Sequence, residues 1–171
     1  MNIAIEVAGP GRRETLANLF QLYVHDFSDF KPPLGQVAVG EDGRFPPYPP
    51  LDRYWRDAGR EVLFIRVDGA LAGFALINDF AHSGLPTNFS IAEFFVLRTY
   101  RRAGVGRAAA LAIIGARPGR WEIAVARRNP AAQAFWRAVA AMIPGAAVEE
   151  LDHQGEGWDG PILRFTVSGA A

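Results

Sequence analysis

Cysteine is absent from this 171-residue sequence, and lysine occurs once, at Lys31. Without cysteine there is no disulfide framework, no thiolate zinc site and no cysteine nucleophile. Because 17 of the 18 basic residues are arginine, a Schiff-base or P-loop lysine is nearly excluded, while planar forks suited to phosphate oxygens are plentiful. A base-composition bias of the source genome explains most of that excess. Net charge is also missing: 18 basic side chains balance 18 acidic ones, so no global excess recruits nucleic acid or an anionic membrane. No apolar run approaches the roughly 18 residues of a membrane span, and MNIAIEVAGP has no basic stretch leading into a long apolar core. The expectation is a cytoplasmic location with neither nucleic-acid nor membrane partners. His25, His82 and His153 lack metal-ligand spacing, so no metal is expected.

What remains argues for a folded globule. Half the residues are apolar and 21% are charged, unlike the weakly hydrophobic, highly charged chains that stay disordered. The length suits one domain over residues 1–171. Ile3, Ile5 and Val7 alternate with polar or small residues as in a half-buried strand, and Gly9, Pro10 and Gly11 end it. Leu16, Leu19, Phe20, Tyr23 and Phe27 share the spacing of one buried helical stripe, which predicts a helix over about 12–27. Six of the twelve prolines then crowd residues 28–50, and a residue before proline is driven out of helical backbone. This stretch reads as a long loop bearing Phe30, Phe45 and Tyr48, either a lid over a site or a surface loop with aromatic plugs. A short helix near 51–58 follows.

Val62–Val67 and Ala70–Ile77 flank Asp68 and Gly69, a strong hairpin signal, and Phe89–Leu97 completes a meander of three strands. The grammar then changes. RTYRRAGVG leads into the alanine-rich RAAALAIIGA, a helix former stopped by Gly115, Pro118 and Gly119, and Arg120–Ala126 alternates as the strand that closes a βαβ unit. Asn129 as N-cap and Pro130 at the first helical position start a helix with Phe135, Val139 and Met142 on one face, ending near Pro144. Ala147–Leu151 and Ile162–Val167 fit a terminal strand pair around a Gly155–Gly160 loop.

The glycine loop carries the chemistry. A helix N-terminus gathers unpaired N–H groups and partial positive charge. Here the amides of Gly104, Val105, Gly106 and Arg107 converge, with Arg101, Arg102 and Arg107 adding charge-assisted hydrogen bonds, an arrangement suited to a pyrophosphate. A GxG before a helix also serves as a tight turn for close packing. A P-loop needs GxxxxGK, and a dinucleotide fold wants a third glycine where Ala109 sits; neither pattern fits.

FFVLRTYRRAGVGRAAA resembles the CoA-binding segment of the GCN5-related N-acetyltransferases (GNAT), with the R/Q-x-x-G-x-G/A signature at Arg101, Gly104 and Gly106, and NPAAQAFW resembles a second segment of that family. The resemblance covers essentially the whole chain. It implies an α/β (α+β) fold: a mixed, mostly antiparallel central sheet of about six or seven strands flanked by about four helices. It implies acetyl-CoA or coenzyme A as cosubstrate, bound by Phe95, Val96 and Leu97 on the strand and by Arg101, Arg102, Ala103, Gly104, Val105, Gly106 and Arg107 in the loop. Asn129 would contact the pantetheine arm, with Ala132 and Phe135 beside it. Strands 89–97 and 120–126 would splay, leaving backbone near Val96 free, so that the Val96 N–H stabilises the oxyanion formed as an amine attacks the acyl group.

Glu93, three residues before Val96, is the carboxylate best placed by sequence to take the amine's proton directly or through water. An ordinary paired strand glutamate is the competing account of it, and Asp26, Asp79 and Glu122 are competing bases. Where the family often has a tyrosine that protonates the departing thiolate, this sequence has Trp136, which cannot. Water, Tyr23, Tyr48 or Tyr54 would substitute, or Trp136 is simply core. The expected acceptor is a primary amine on a small molecule, peptide or protein. A non-catalytic CoA-binding or sensing module and a structural interaction domain are the alternatives. Oligomeric state stays open, a homodimer included.

Overall fold

Near-continuous apolar runs, buried on both faces, build the central strands of the sheet. β1 (Ile3–Val7), β2 (Glu61–Val67), β3 (Ala70–Asn78), β4 (Phe89–Val96), β5 (Gly119–Ala124), β6 (Glu149–Gly155) and β7 (Trp158–Val167) form one sheet in the order β1-β2-β3-β4-β5-β7-β6. Only the β4–β5 pairing is parallel. This computed structural model describes residues 1–30 and 38–169. Three α-helices cover the sheet: α1 (Arg13–Phe27), α2 (Val105–Gly115) and α3 (Pro130–Ala140).

Side-chain alternation sorts the core into two faces. Val62, Phe64, Phe74 and Leu76 pack under Leu16, Leu19 and Phe20 of α1. Leu63, Ala75 and Ile77 point the other way, onto Ile113 and Ile114 of α2 and Trp136 and Val139 of α3. The β2–β3 hairpin turns at Asp68 and Gly69, both at positive φ as the tight hairpin turn demands.

Three expectations need correction. The short helix near 51–58 is a 3-10 helix over Pro49–Trp55, so the α-helices among the described residues number three, against about four expected. Prolines at its head suit a first helical turn, where amides have no intrahelical partner, and the segment stays in the short, tighter 3-10 form. The Gly155–Gly160 segment is not a loop: β6 and β7 run through it to a turn at Glu156 and Gly157. Gly160 is there for close packing, since a Cβ would lie 2.1 Å from the Val125 carbonyl oxygen. Met142 falls beyond α3 and is 50% exposed, while Ile143 takes the buried place. Of the expected lid, residues 31–37, with Pro32 and Pro33, lie outside the described residues. Its last part is tied down: Gln21 donates to the Phe45 carbonyl at 3.4 Å and accepts from the Phe45 N–H at 2.8 Å, and Tyr48 stacks on Phe20 at 4.9 Å.

Candidate active site

β4 and β5 pair only at Phe89 with Trp121 and Ser90 with Glu122. Beyond those residues the strands part, as the sequence leads one to expect, and a cleft of about 1300 Å³ opens along their separated edges. The direction of the β4 amides follows from one hydrogen bond. Leu97 N–H donates to the Ala72 carbonyl at 2.8 Å, and in an antiparallel ladder alternate residues face the same neighbour. Phe95 therefore turns its backbone to β3, whereas the N–H groups of Phe94 and Val96 face the cleft. The Val96 carbonyl accepts from Arg101 Nε at 2.7 Å.

Glu93 reaches the site through a bulge. Leu76 pairs with Glu93 but Ile77 pairs with Ile91, leaving one extra residue on β4. Strict alternation from buried Ile91 would send Glu93 toward α2 and α3. The extra residue instead puts it on the α1 side with Ala92, where Tyr23 Oη donates to Glu93 Oε2 at 2.6 Å. Recession from solvent pushes the Glu93 carboxyl up to about 7, with hydrogen bonding from Tyr23 and Tyr48 pulling the other way. The neighbouring phenols respond in turn. Burial and the Glu93 charge raise Tyr23 and Tyr48 well above the usual phenol range, and burial raises Tyr54 to about 12.

The glycine loop delivers an open helix end. Gly104, the N-cap of α2, sits at φ 80°, a left-handed conformation that favours glycine. No side chain caps α2 and its first turn holds no acidic residue, so the leading amides and the positive end of the helix are left to the cleft. Gly104, Gly106, Arg102 and Arg107 line that cleft, and so does Arg128, whose guanidinium lies 5.4 Å over Phe27. These donors fit a pyrophosphate. Arg101, also on the cleft wall, holds the Val96 carbonyl and forms an ion pair with Asp26, which also binds Arg98 Nε at 2.8 Å. Burial pushes the Asp26 carboxyl up, yet the two arginines outweigh it and hold the group below its usual value.

At the far wall, Asn129 Oδ1 caps α3 by accepting from Ala132 N–H at 3.0 Å. Asn129, Ala132 and Phe135 all line the cleft. Phe135 stacks on Phe94 at 5.8 Å, and Trp136, 6% exposed, packs edge-on against both rings. Trp136 is thus a core residue at the cleft floor. Among the described residues no cluster of His, Cys, Asp or Glu is arranged to hold a metal, and no helix is long and apolar enough to cross a membrane.

A model of the acetyltransferase (GNAT) family matches residues 16–140, from α1 to the end of α3. The chain belongs to this family. The GNAT fold extends over the whole chain in solved acetyltransferase structures of the family. The one from Streptococcus agalactiae is 14% identical with TM-score 0.65, covering 99% of this chain and 96% of its own. That from Staphylococcus aureus is 12% identical with TM-score 0.62, covering 98% and 100%. A chimeric spermidine N-acetyltransferase from Vibrio cholerae is 12% identical with TM-score 0.57, covering 98% and 96%. No curated protein matches the sequence. Membership supports acetyl transfer in general as the chemistry of this GNAT chain.

Within this GNAT site the structure brings together Glu93, Val96, Arg101, Arg102, Gly104, Gly106, Arg107, Asn129, Ala132 and Phe135. Leu97, Ala103 and Val105 do not line the cleft. Leu97 packs toward α1, Ala103 is exposed, and the Val105 side chain is 1% exposed between α2 and the sheet. Phe95 lines it by its ring alone, wedged against Tyr23 and Phe74. Competing bases fall away. Asp26 is held by arginines, and Glu122, 1% exposed, accepts from Ser83 N–H at 3.2 Å and faces Arg164. Asp79 does not line the cleft. Tyr23 as the partner of Glu93 and Arg128 on the cleft wall are not legible by motif; the sequence marked Tyr23 as a buried stripe residue and a substitute acid, not as a partner of Glu93.

Proposed function

We propose that this chain transfers an acetyl group from acetyl-CoA to the amino group of an acceptor by direct attack. The observation that carries the reading is Glu93, recessed with a carboxyl near 7 and held by Tyr23, three residues from the cleft-facing amide of Val96. Bound acetyl-CoA supplies a thioester whose carbonyl carbon the amine attacks, with the C–S bond breaking as the N–C bond forms. The α2 amides, Arg102, Arg107 and Arg128 would hold the pyrophosphate, and the splayed β4 edge, Asn129 and Phe135 the pantetheine. Glu93 Oε takes one proton from the acceptor ammonium, freeing its lone pair. The Val96 N–H stabilises the developing oxyanion. The second amine proton ends on the thiolate through water, because Trp136 has none to give and the phenols, raised above 10, are poorer acids than a thiol near 8.5.

Purified protein, acetyl-CoA and a broad amine panel should release free thiol, and silence on every amine would sink the proposal. Saturating CoA, at about 100 times its Kd, should add about 2.7 kcal/mol to apparent stability, or roughly 5–10 °C in Tm. Gly104→Val should abolish that shift, while Gly84→Val, at a comparable positive φ far from the loop, should retain it. Buried Trp136 favours one second reading, a CoA-binding module without turnover. A full thermal shift with no thiol release would select it.

A further inference from the structure

A second cavity of about 310 Å³ meets the cleft at Tyr48, Glu93 and Trp158. Glu93 stands at the junction, so a group that yields a proton to Glu93 from this side sits in the smaller cavity. Its size is at the lower end of the roughly 300–1,000 Å³ that holds small molecules, too little for a folded partner.

The charges in this cavity are separated. At one end is Glu93. At the other, Arg60 Nε lies 3.7 Å from Asp57 Oδ2, the same oxygen that Arg53 Nε holds at 2.7 Å. Two guanidiniums share one carboxylate, which leaves that end positive. The Arg60 side chain is only 12% exposed and its Cζ lies 5.1 Å over the Tyr54 ring. Tyr54 Oη accepts from Asn78 Nδ2 at 3.0 Å. With its oxygen accepting from Asn78, the Tyr54 hydroxyl has its proton left for an outside oxygen. Glu122, the other carboxylate on the wall, is satisfied by Ser83 and Arg164, and Asp79 lines neither cavity. Phe80, His82 and Trp158 form an aromatic side, with ring centroids 4.9 and 4.4 Å apart in succession, and burial lowers the His82 pKa and so favours its neutral form.

Resting on the reading of Glu93 as proton acceptor, we propose that the acceptor is a small zwitterion, a free amino acid with an apolar or aromatic side chain. Its ammonium faces Glu93, and its carboxylate is held by Arg60 and the Tyr54 hydroxyl. A guanidinium and a phenol hydroxyl match one carboxylate. A polyamine would set a second cation against Arg60, and an amide or decarboxylated amine would leave that guanidinium without its partner.

The test compares kcat/KM for L-phenylalanine, L-leucine and L-methionine with their amides, their decarboxylated amines and spermidine. The free acids should lead their amides by at least about tenfold, as expected for one charge-assisted contact. In Arg60→Gln the ratio should fall to near one through the acids alone, with the amides within about threefold of wild type. Arg60→Lys should keep part of the preference. Calorimetric titration of the best acid onto CoA-loaded protein should show a tenfold weaker Kd in Arg60→Gln with CoA affinity unchanged. Equal or better rates with amides or spermidine overturn the proposal while leaving acetyl transfer standing. A preference that survives Arg60→Gln also overturns it. No thiol release with any amine fails the underlying reading instead. Should Arg60→Gln not fold, the wild-type acid-to-amide ratio decides alone.

Discussion

Glu93→Gln is expected to lower kcat/KM by about 10²- to 10⁴-fold near pH 7.5, the range for loss of a general base, and at the same time to raise the melting temperature. The two effects share one cause. In the folded chain the carboxyl titrates near 7 against an ordinary 4.5, because recession outweighs the hydrogen bonds from Tyr23 and Tyr48. Between those values the folded state binds a proton that the unfolded chain has released, so stability falls as pH rises through 4.5 to 7. Above pH 7 the charged group costs at most about 3 kcal/mol at 1.36 kcal/mol per pKa unit, less whatever water in the open cleft recovers. The isosteric amide keeps an acceptor for Tyr23 and removes the charge. Wild-type kcat/KM should therefore climb with pH around a midpoint near 7, and that limb should vanish in the variant. Melting curves at pH 8 should favour the variant, and the gap should close by about pH 4. A variant that is both slower and less stable at pH 8 would reduce Glu93 to a structural glutamate.

The same residue shows where the sequence stops informing. Position 93 lies in a strand by composition, and its spacing from Val96 suggested proximity to the chemistry, but alternation alone sends it to the wrong face. The bulge that corrects this arises from how β3 and β4 pair, and no residue type announces it. Arg101 teaches the same lesson. Its place in the motif suggested a phosphate ligand, but not the second task the fold gives it at the cleft wall, tying the Val96 carbonyl to Asp26, 75 residues away. Local signals served better where the cause is local: the positive-φ turn at Asp68 and Gly69, the proline-led start of α3, and the uncapped glycine start of α2 all follow from backbone preferences of a few residues. The second cavity was out of reach because Arg60, Tyr54 and Glu93 converge from three separate elements.

Gly73→Ala should be among the most damaging single methyls in the sheet. A Cβ at Gly73 would lie 2.0 Å from the Phe95 carbonyl oxygen and 3.0 Å from Val96 Cα, and both are backbone atoms with no rotamer to escape into. Gly73 pairs with Val96 on one side and with Ile65 on the other, next to the shift in the β2–β3 register, so the strain is confined between two central strands. β4 has to move away from β3, and the Leu97 to Ala72 hydrogen bond of 2.8 Å yields first. The expected loss is at least about 3 kcal/mol, at the upper end for overpacking, or roughly 6–12 °C in Tm for a chain of this size. Gly115→Ala, at an open site on the last turn of α2, is the matched control and should be neutral or slightly stabilising. Since Val96 moves with β4, the CoA-induced rise in Tm should shrink in Gly73→Ala and stay intact in Gly115→Ala. Retention of both stability and the CoA shift in Gly73→Ala would mean that the β3–β4 contact is looser than its geometry and that the cleft-facing amide of Val96 does not depend on it.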